Sequence, residues 1–272
     1  MTIEFGPDIA RYAALPFMAL RCLGVFAVAP LFGSRFVPVQ VRVALGVICG
    51  LLLAPLAAAV QAPDPSAGAN SMSELLASPA AYALRCAAEL LLGLGIGYLA
   101  LLFLAAVQMA GQVMDTELGF GMVNVLDPQS GFQLPLLGSL LNLIGILVFL
   151  ALDGHLLLVR ALRESVALVP PGAVGLHAGA GELLLRAFAA SFTTALKVAA
   201  PVLAALFLTS AALGIVARTV PQMNVFVVGL PLRIAVGLAV LLVSLPLTGT
   251  VLAPALGGVF DMINRLLAGM AG

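Results

Sequence analysis

An all-α, integral membrane-type fold of long kinked helices and helical hairpins is predicted for this 272-residue chain by three features. Apolar residues make up 62% of it, charged residues only 9%, and five long runs carry no charge at all. The runs span 43–63, 90–114, 128–152, 198–217 and 234–260. At a rise of about 1.5 Å per residue, roughly 20 helical residues cover the ~30 Å hydrocarbon thickness of a bilayer, so each run is long enough to cross. A soluble domain of this length needs far more polar surface than the composition supplies.

The elements follow from where the runs are broken. A first helix is expected from about Ile9 to Leu31, ending near Pro30, before a loop with Arg35, Pro38 and Arg42. A second covers roughly 43–60. Gln61 to Pro79 holds Pro63, Pro65, Gly68 and Asn70 among small residues, which reads as an exposed connection. A third helix is expected over about 80–114 and a fourth over about 134–168, with a break at Asp153-Gly154. Pro170, Pro171, Gly172 and Gly175 close that half. Residues 182–217 and 226–267 then form a hairpin around the turn from Arg218 to Pro231. Pro201, Pro246 and Pro254 fall inside helical runs and are expected to bend them. Gly46 with Gly50, and Gly93 with Gly97, have the four-residue spacing that lets neighbouring backbones approach closely.

Several function classes are excluded. The 12 basic residues are offset by 12 acidic ones and scattered singly, so no basic stripe offers itself to nucleic acid. Cys22, Cys49 and Cys86 are an odd set inside apolar segments and read as buried free thiols. His155 and His177 lack the spacing of a helical metal site. Neither a phosphate-cradling Gly-Lys-Ser/Thr loop nor a Gly-x-Ser-x-Gly elbow is present. No catalytic residues, metal site or cofactor are therefore expected. The acidic N-terminus, with Arg21 interrupting the following apolar run, gives no expectation of a cleaved signal.

Charges inside apolar stretches are costly, by about 3 kcal/mol at a bilayer centre on insertion scales. Arg21, Arg85, Glu89, Arg186 and Lys197 are such charges, and Arg85 and Glu89 have the i, i+4 spacing of a pair. Two readings stand: these groups sit at interfaces or snorkel, or they pair with neighbouring subunits. The loops also defy the positive-inside rule. Arg35 and Arg42 place the first loop inside, yet the loop that should then also be inside contains Asp115, Glu117 and Asp127 with no cation. Either a segment is re-entrant or the chain is not a simple series of spans.

The mid-chain stretch draws most attention. Gln108, Gln112 and Asp115 share one helical face, a polar stripe that lines water or another subunit, or else marks a helix end reaching solvent. Beyond it, Gly119 and Gly121 flank Phe120, and Met122 follows, so the segment is flexible and apolar at once, suited to a gate.

With these motifs placed, the chain resembles the FliR/SctT family of type III secretion export-gate proteins over nearly its full length. The markers are Arg21 with Gly24, Pro30 and Pro38; Ala110-Gly111 through Gly119-Phe120 to Asp127-Pro128; Phe149 and Asp153-Gly154-His155; and Pro221 to Phe226 with Gly229 and Pro231. The resemblance implies a fusion of a FliP-like part, residues 1–181, with a FliQ-like hairpin, residues 182–272. It further implies a hetero-oligomeric channel with FliP and FliQ type subunits, beside FlhB and FlhA type export proteins, passing unfolded flagellar substrates through the inner-membrane part of the flagellar basal body. Within it a plug loop matches about 111–127, here carrying Gly111, Met114, Leu118, Gly119, Phe120, Gly121, Met122, Asp127 and Pro128. Arg21, Pro221, Asn224, Phe226 and Pro231 are expected at packing contacts between subunits. Alternatives are an injectisome export protein of the SctT type and a small-molecule secondary transporter.

Overall fold

The computed structural model describes residues 7–33, 37–61, 78–120, 135–175, 178–220, 222 and 224–270. Among these all regular structure is helical, in seven helices: α1 Pro7–Val28, α2 Val39–Gln61, α3 Pro79–Leu118, α4 Leu136–Ala151, α5 Gly154–Leu168, α6 Ala178–Thr219 and α7 Val225–Met270. Four of them are individually long and apolar enough to cross a membrane, and α4 with α5, bent by 60° at the break between them, together have the length and composition of a broken span or a re-entrant loop. The predicted membrane-type helical fold is therefore present.

The boundaries show what each signal was worth. The predicted break in the fourth helix lies where Asp153 adopts a left-handed conformation, φ 56° and ψ 29°. α6 runs through Pro201, and α7 through Pro231, Pro246 and Pro254, without ending. The third helix is longer than expected. It continues four residues past Met114 and stops at Leu118, so Gly111, Met114 and Leu118 belong to a helix and not to a loop.

Two compact units divide the chain. The first comprises Met1–Leu102, Asp153–Ala187 and Gly258–Gly272; the second comprises Phe103–Leu152 and Phe188–Gly257. Each draws on both the 1–181 and the 182–272 segments.

In the first unit the small residues bring backbones together. A β-carbon at Gly24 would lie 2.6 Å from the carbonyl oxygen of Leu90, and one at Gly93 would collide with the carbonyl oxygen of Arg21. On α2, a β-carbon at Gly50 would lie 2.7 Å from Ala19 Cα. The glycine spacing read as a sign of close helix approach thus serves α1 with α2 and α1 with α3 inside this chain. Met18, Ala57 and Val166 form a fully buried cluster nearby, with Leu53 and Leu56 against it.

In the second unit α3 packs on α4. A β-carbon at Gly111 would lie 2.5 Å from Gly138 Cα, so the two backbones meet with nothing between them. The rings of Phe103 and Phe149 meet in a tilted contact, 6.1 Å between centroids, farther along the same pair of helices.

Candidate functional site

The site of interest is the end of α3 and what it holds. α3 ends in two backbone bonds: Gly119 N–H donates to the Thr116 carbonyl at 3.2 Å and Phe120 N–H to the Asp115 carbonyl at 3.1 Å. With Gly119 at φ +86°, this is a Schellman stop, in which a glycine takes the left-handed position that side chains avoid. The glycine read as a flexible point therefore terminates a helix in a defined geometry.

One turn earlier, Asp115 is 5% exposed and spans to the next helix. Its Oδ1 accepts from Leu137 N–H and its Oδ2 from Gly138 N–H, both at 2.9 Å. Those are the second and third residues of α4, whose N–H groups have no partner within the helix. A side chain at the N-cap position normally satisfies them, but Pro135 occupies that position and makes no side-chain bond. Asp115 supplies the cap from 22 residues away, and its charge sits favourably at the positive end of the helix dipole.

The predicted polar stripe is therefore split. Gln108 and Gln112 are exposed, while Asp115 turns inward and is consumed by α4. Among the plug residues, Met114 and Leu118 are fully buried, and Leu118 packs so closely on α7 that a β-carbon at Gly237 would overlap its side chain. Those two are anchors enclosed by their own chain. Phe120 is half-buried. Gly121, Met122, Asp127, Pro128 and Pro221 lie outside the described residues, as does the side chain of Phe226. Asn224 and Pro231 are both exposed.

The second cluster of polar groups surrounds Arg21. Its guanidinium is entirely enclosed and meets Glu89 in a fork: Nε to Oε2 at 2.7 Å and Nη2 to Oε1 at 3.1 Å. Nη1 donates to the carbonyls of Ser165 and Val169 at 2.9 and 3.0 Å and lies 3.2 Å from Ser165 Oγ. Gly172 N–H donates to Glu89 Oε1 at 2.7 Å. The pair thus ties α1 and α3 to the end of α5 and the turn beyond it, a satisfied network of the kind a buried charge requires.

Two expectations change here. Arg21, expected at a subunit contact, has its side chain fully committed within the chain. Glu89 pairs with Arg21 and not with Arg85, because its carboxylate faces α1; Arg85 instead donates to the Gly172 carbonyl at 2.8 Å. Gly172, left-handed at φ +80°, thus accepts from Arg85 at its carbonyl and donates its N–H to Glu89. Arg186 pairs with Glu182 at 2.6 Å in an exposed i, i+4 bridge, and Lys197 is exposed. Glu89, Leu137, Gly138 and Gly172 are the partners that sequence reasoning missed. The signal available was that Arg21 and Glu89 are opposite charges set within apolar stretches of two different helices.

Comparison with known proteins places this architecture. The family described as bacterial export proteins, family 1, matches residues 12–258. The flagellar biosynthetic protein FliR of Bacillus subtilis (strain 168) is 35% identical over 263 residues, 96% of this chain and 96% of its own length. FliR of Escherichia coli (strain K12) is 29% identical over 249 residues, 92% of this chain and 89% of its own. FliR of Pectobacterium carotovorum subsp. carotovorum is 30% identical over 249 residues. A match across nearly the whole chain, on a helical scaffold apolar enough for a membrane, shows that this protein belongs to family 1 of the bacterial export proteins, the family of the FliR flagellar biosynthetic proteins.

Proposed function

We propose that the chain is a non-enzymatic component of the flagellar type III protein export gate. With FliP and FliQ type subunits it forms the channel through which unfolded flagellar substrates cross the inner membrane at the basal body. FlhB and FlhA type proteins adjoin it. The observation that carries this reading is near-full-length similarity to proteins named for flagellar biosynthesis, which also favours the flagellar over the injectisome alternative.

The helices support it physically. α3, α6 and α7 have 40, 42 and 46 residues, so at about 1.5 Å per residue each is roughly twice as long as a bilayer core is thick. Much of α6 and α7 is apolar and uncovered, with Phe207, Leu208, Leu242 and Val243 among the exposed side chains. Sister subunits packing there would cover what lipid alone does not span. In this reading 1–181 acts as a FliP-like part and 182–272 as a FliQ-like hairpin.

The last turns of α3 and the segment after it act as the plug. Its anchored part is Gly111 to Leu118, and its sealing part begins at Phe120. Driving energy comes from partners and the proton gradient. Two measurements test this. A tagged copy purified with native mass measurement should bring FliP and FliQ type subunits with it, and a lone monomer would sink the assembly reading. Deleting residues 120–124, which spares the Leu118 anchor, should raise ion leak in cells expressing the gate; normal leak with normal secretion would remove the plug.

A further inference from the structure

Lys197, the only lysine in the chain, stands near the middle of the 42-residue α6, with no other charge between Arg186 and Arg218. The helical hairpin offers it nothing to pair with. A β-carbon at Gly229 would lie 3.2 Å from the Leu213 side chain and one at Gly237 3.4 Å from that of Leu206, so α7 runs back along α6 in a register that sets Lys197 level with about Leu247. The nearest charges on α7 are Arg233 and Asp261, each about 14 residues, or roughly 20 Å, along the helix from that level. Among the described residues Lys197 has no ion-pair partner, and the two ion pairs found there belong to Arg21 and Arg186.

The surface around it narrows what covers this cation. Thr193, Leu196, Ala200, Ala204, Phe207 and Leu208 share its side of α6 by helical spacing, and all six are exposed. Uncovered apolar side chains lie both before Lys197, at Phe188 and Phe192, and after it, at Phe207 and Leu208. A lysine that marks a membrane boundary has apolar surface on one side only, so a boundary here would leave one of these sections in water. At depth in lipid the ammonium would meet no acceptor, at a cost of about 3 kcal/mol. One kind of cover answers both difficulties: a protein helix, apolar along its length, with a counter-charge at the level of Lys197. The small side chains of Thr193, Ala200 and Ala204 beside the lysine let such a helix come close. Resting on the gate reading, in which sister subunits cover α6 and α7, we propose that the side of α6 around Lys197 docks an apolar helix of an adjoining subunit, and that a carboxylate on that helix takes the Lys197 ammonium.

The experiment uses the full chain, tagged, co-expressed with FliP and FliQ type subunits and purified through the tag. Lys197→Met keeps the apolar stem and removes the charge. It leaves the partner's carboxylate buried without a counter-charge, so recovery of at least one partner subunit should fall about tenfold or more. Lys197→Arg restores a cation and should regain most of that recovery. Lys197→Glu sets like charges against each other and should fall lowest; a Lys197→Glu complex recovered better than Lys197→Met removes the carboxylate. Thermal unfolding of the chain by itself in detergent should be the same for wild type and Lys197→Met. A drop in Lys197→Met there would place the counter-charge on this chain and overturn the docking face. Equal recovery of partners by wild type and Lys197→Met overturns it too and leaves the gate reading standing, whereas a wild-type chain that brings no partner with it removes both. Native mass measurement of the complexes separates a lipid occupant: loss of a bound phospholipid from Lys197→Met, with every subunit retained, would assign the lysine to a headgroup instead.

Discussion

α3 and α7 carry uncharged runs of similar length, 90–114 and 234–260, yet their surroundings differ threefold. In α3, 67% of the most apolar stretch is buried inside the chain; in α7, 22% is. α3 owes its enclosure to notches and to one charge pair. Gly93 and Gly97 admit α1, Gly111 admits α4, and Glu89 holds Arg21. α7 has such a notch at Gly237, against Leu118, but a β-carbon at Gly249, Gly257 or Gly258 would meet nothing within 4 Å. Equal hydrophobicity therefore does not fix what covers a helix, because burial of apolar surface is non-directional. Shape and a few polar groups choose the neighbour, and surface they leave open is available to lipid or another chain.

The sharpest way to break this contrast is to place the same side chain on both helices. Gly93→Leu forces α1 away from α3 and should prevent accumulation of the chain in membranes, whereas Gly257→Leu should accumulate normally. Equal behaviour of the two would erase the distinction. Next in size is Glu89→Ala, which leaves a buried guanidinium without its counter-charge and should cost about 3–5 kcal/mol in unfolding measurements. Replacing both partners, Arg21→Met with Glu89→Leu, should recover much of that loss. A purified Glu89→Ala chain as stable as wild type would show that the pair is not a structural tie.

Smaller effects are expected on the open face. Leu242→Ser with Val243→Ser changes side chains that are 69% and 82% exposed; thermal stability of the isolated chain in detergent should hold while recovery of partner subunits falls. A loss of stability matching that of Glu89→Ala would mean the face is covered by its own chain. The smallest change is Arg186→Ala. Its bridge to Glu182 is exposed, and its removal should cost at most about 0.5 kcal/mol, near the limit of a denaturation curve.

Much of the architecture was legible beforehand, and the particulars show why. Asp153-Gly154 was readable as a break because a local left-handed residue ends a helix whatever surrounds it. Helix existence followed from uncharged length. The end of α3 was misjudged by four residues because its signals conflicted: Asp115, Thr116 and Glu117 look like a loop, but Asp115 is drawn inward by α4 and only Gly119 stops the helix. The stripe of Gln108, Gln112 and Asp115 failed for a similar reason. Helical spacing put the three on one side, while the unfilled amides of Leu137 and Gly138 claimed the last of them.

What the amino-acid order determined by itself is local or additive: the long helices, the break at Asp153-Gly154, and a composition that suits a membrane. These depend on backbone preference and on summed apolar length. Only the tertiary structure decided which charge meets which. Arg21 met Glu89, 68 residues away, and Asp115 became the cap that Pro135 lacks. Such choices turn on distances of about 3 Å between groups far apart in sequence, and a buried charge accepts whichever partner the packed backbones bring within that reach.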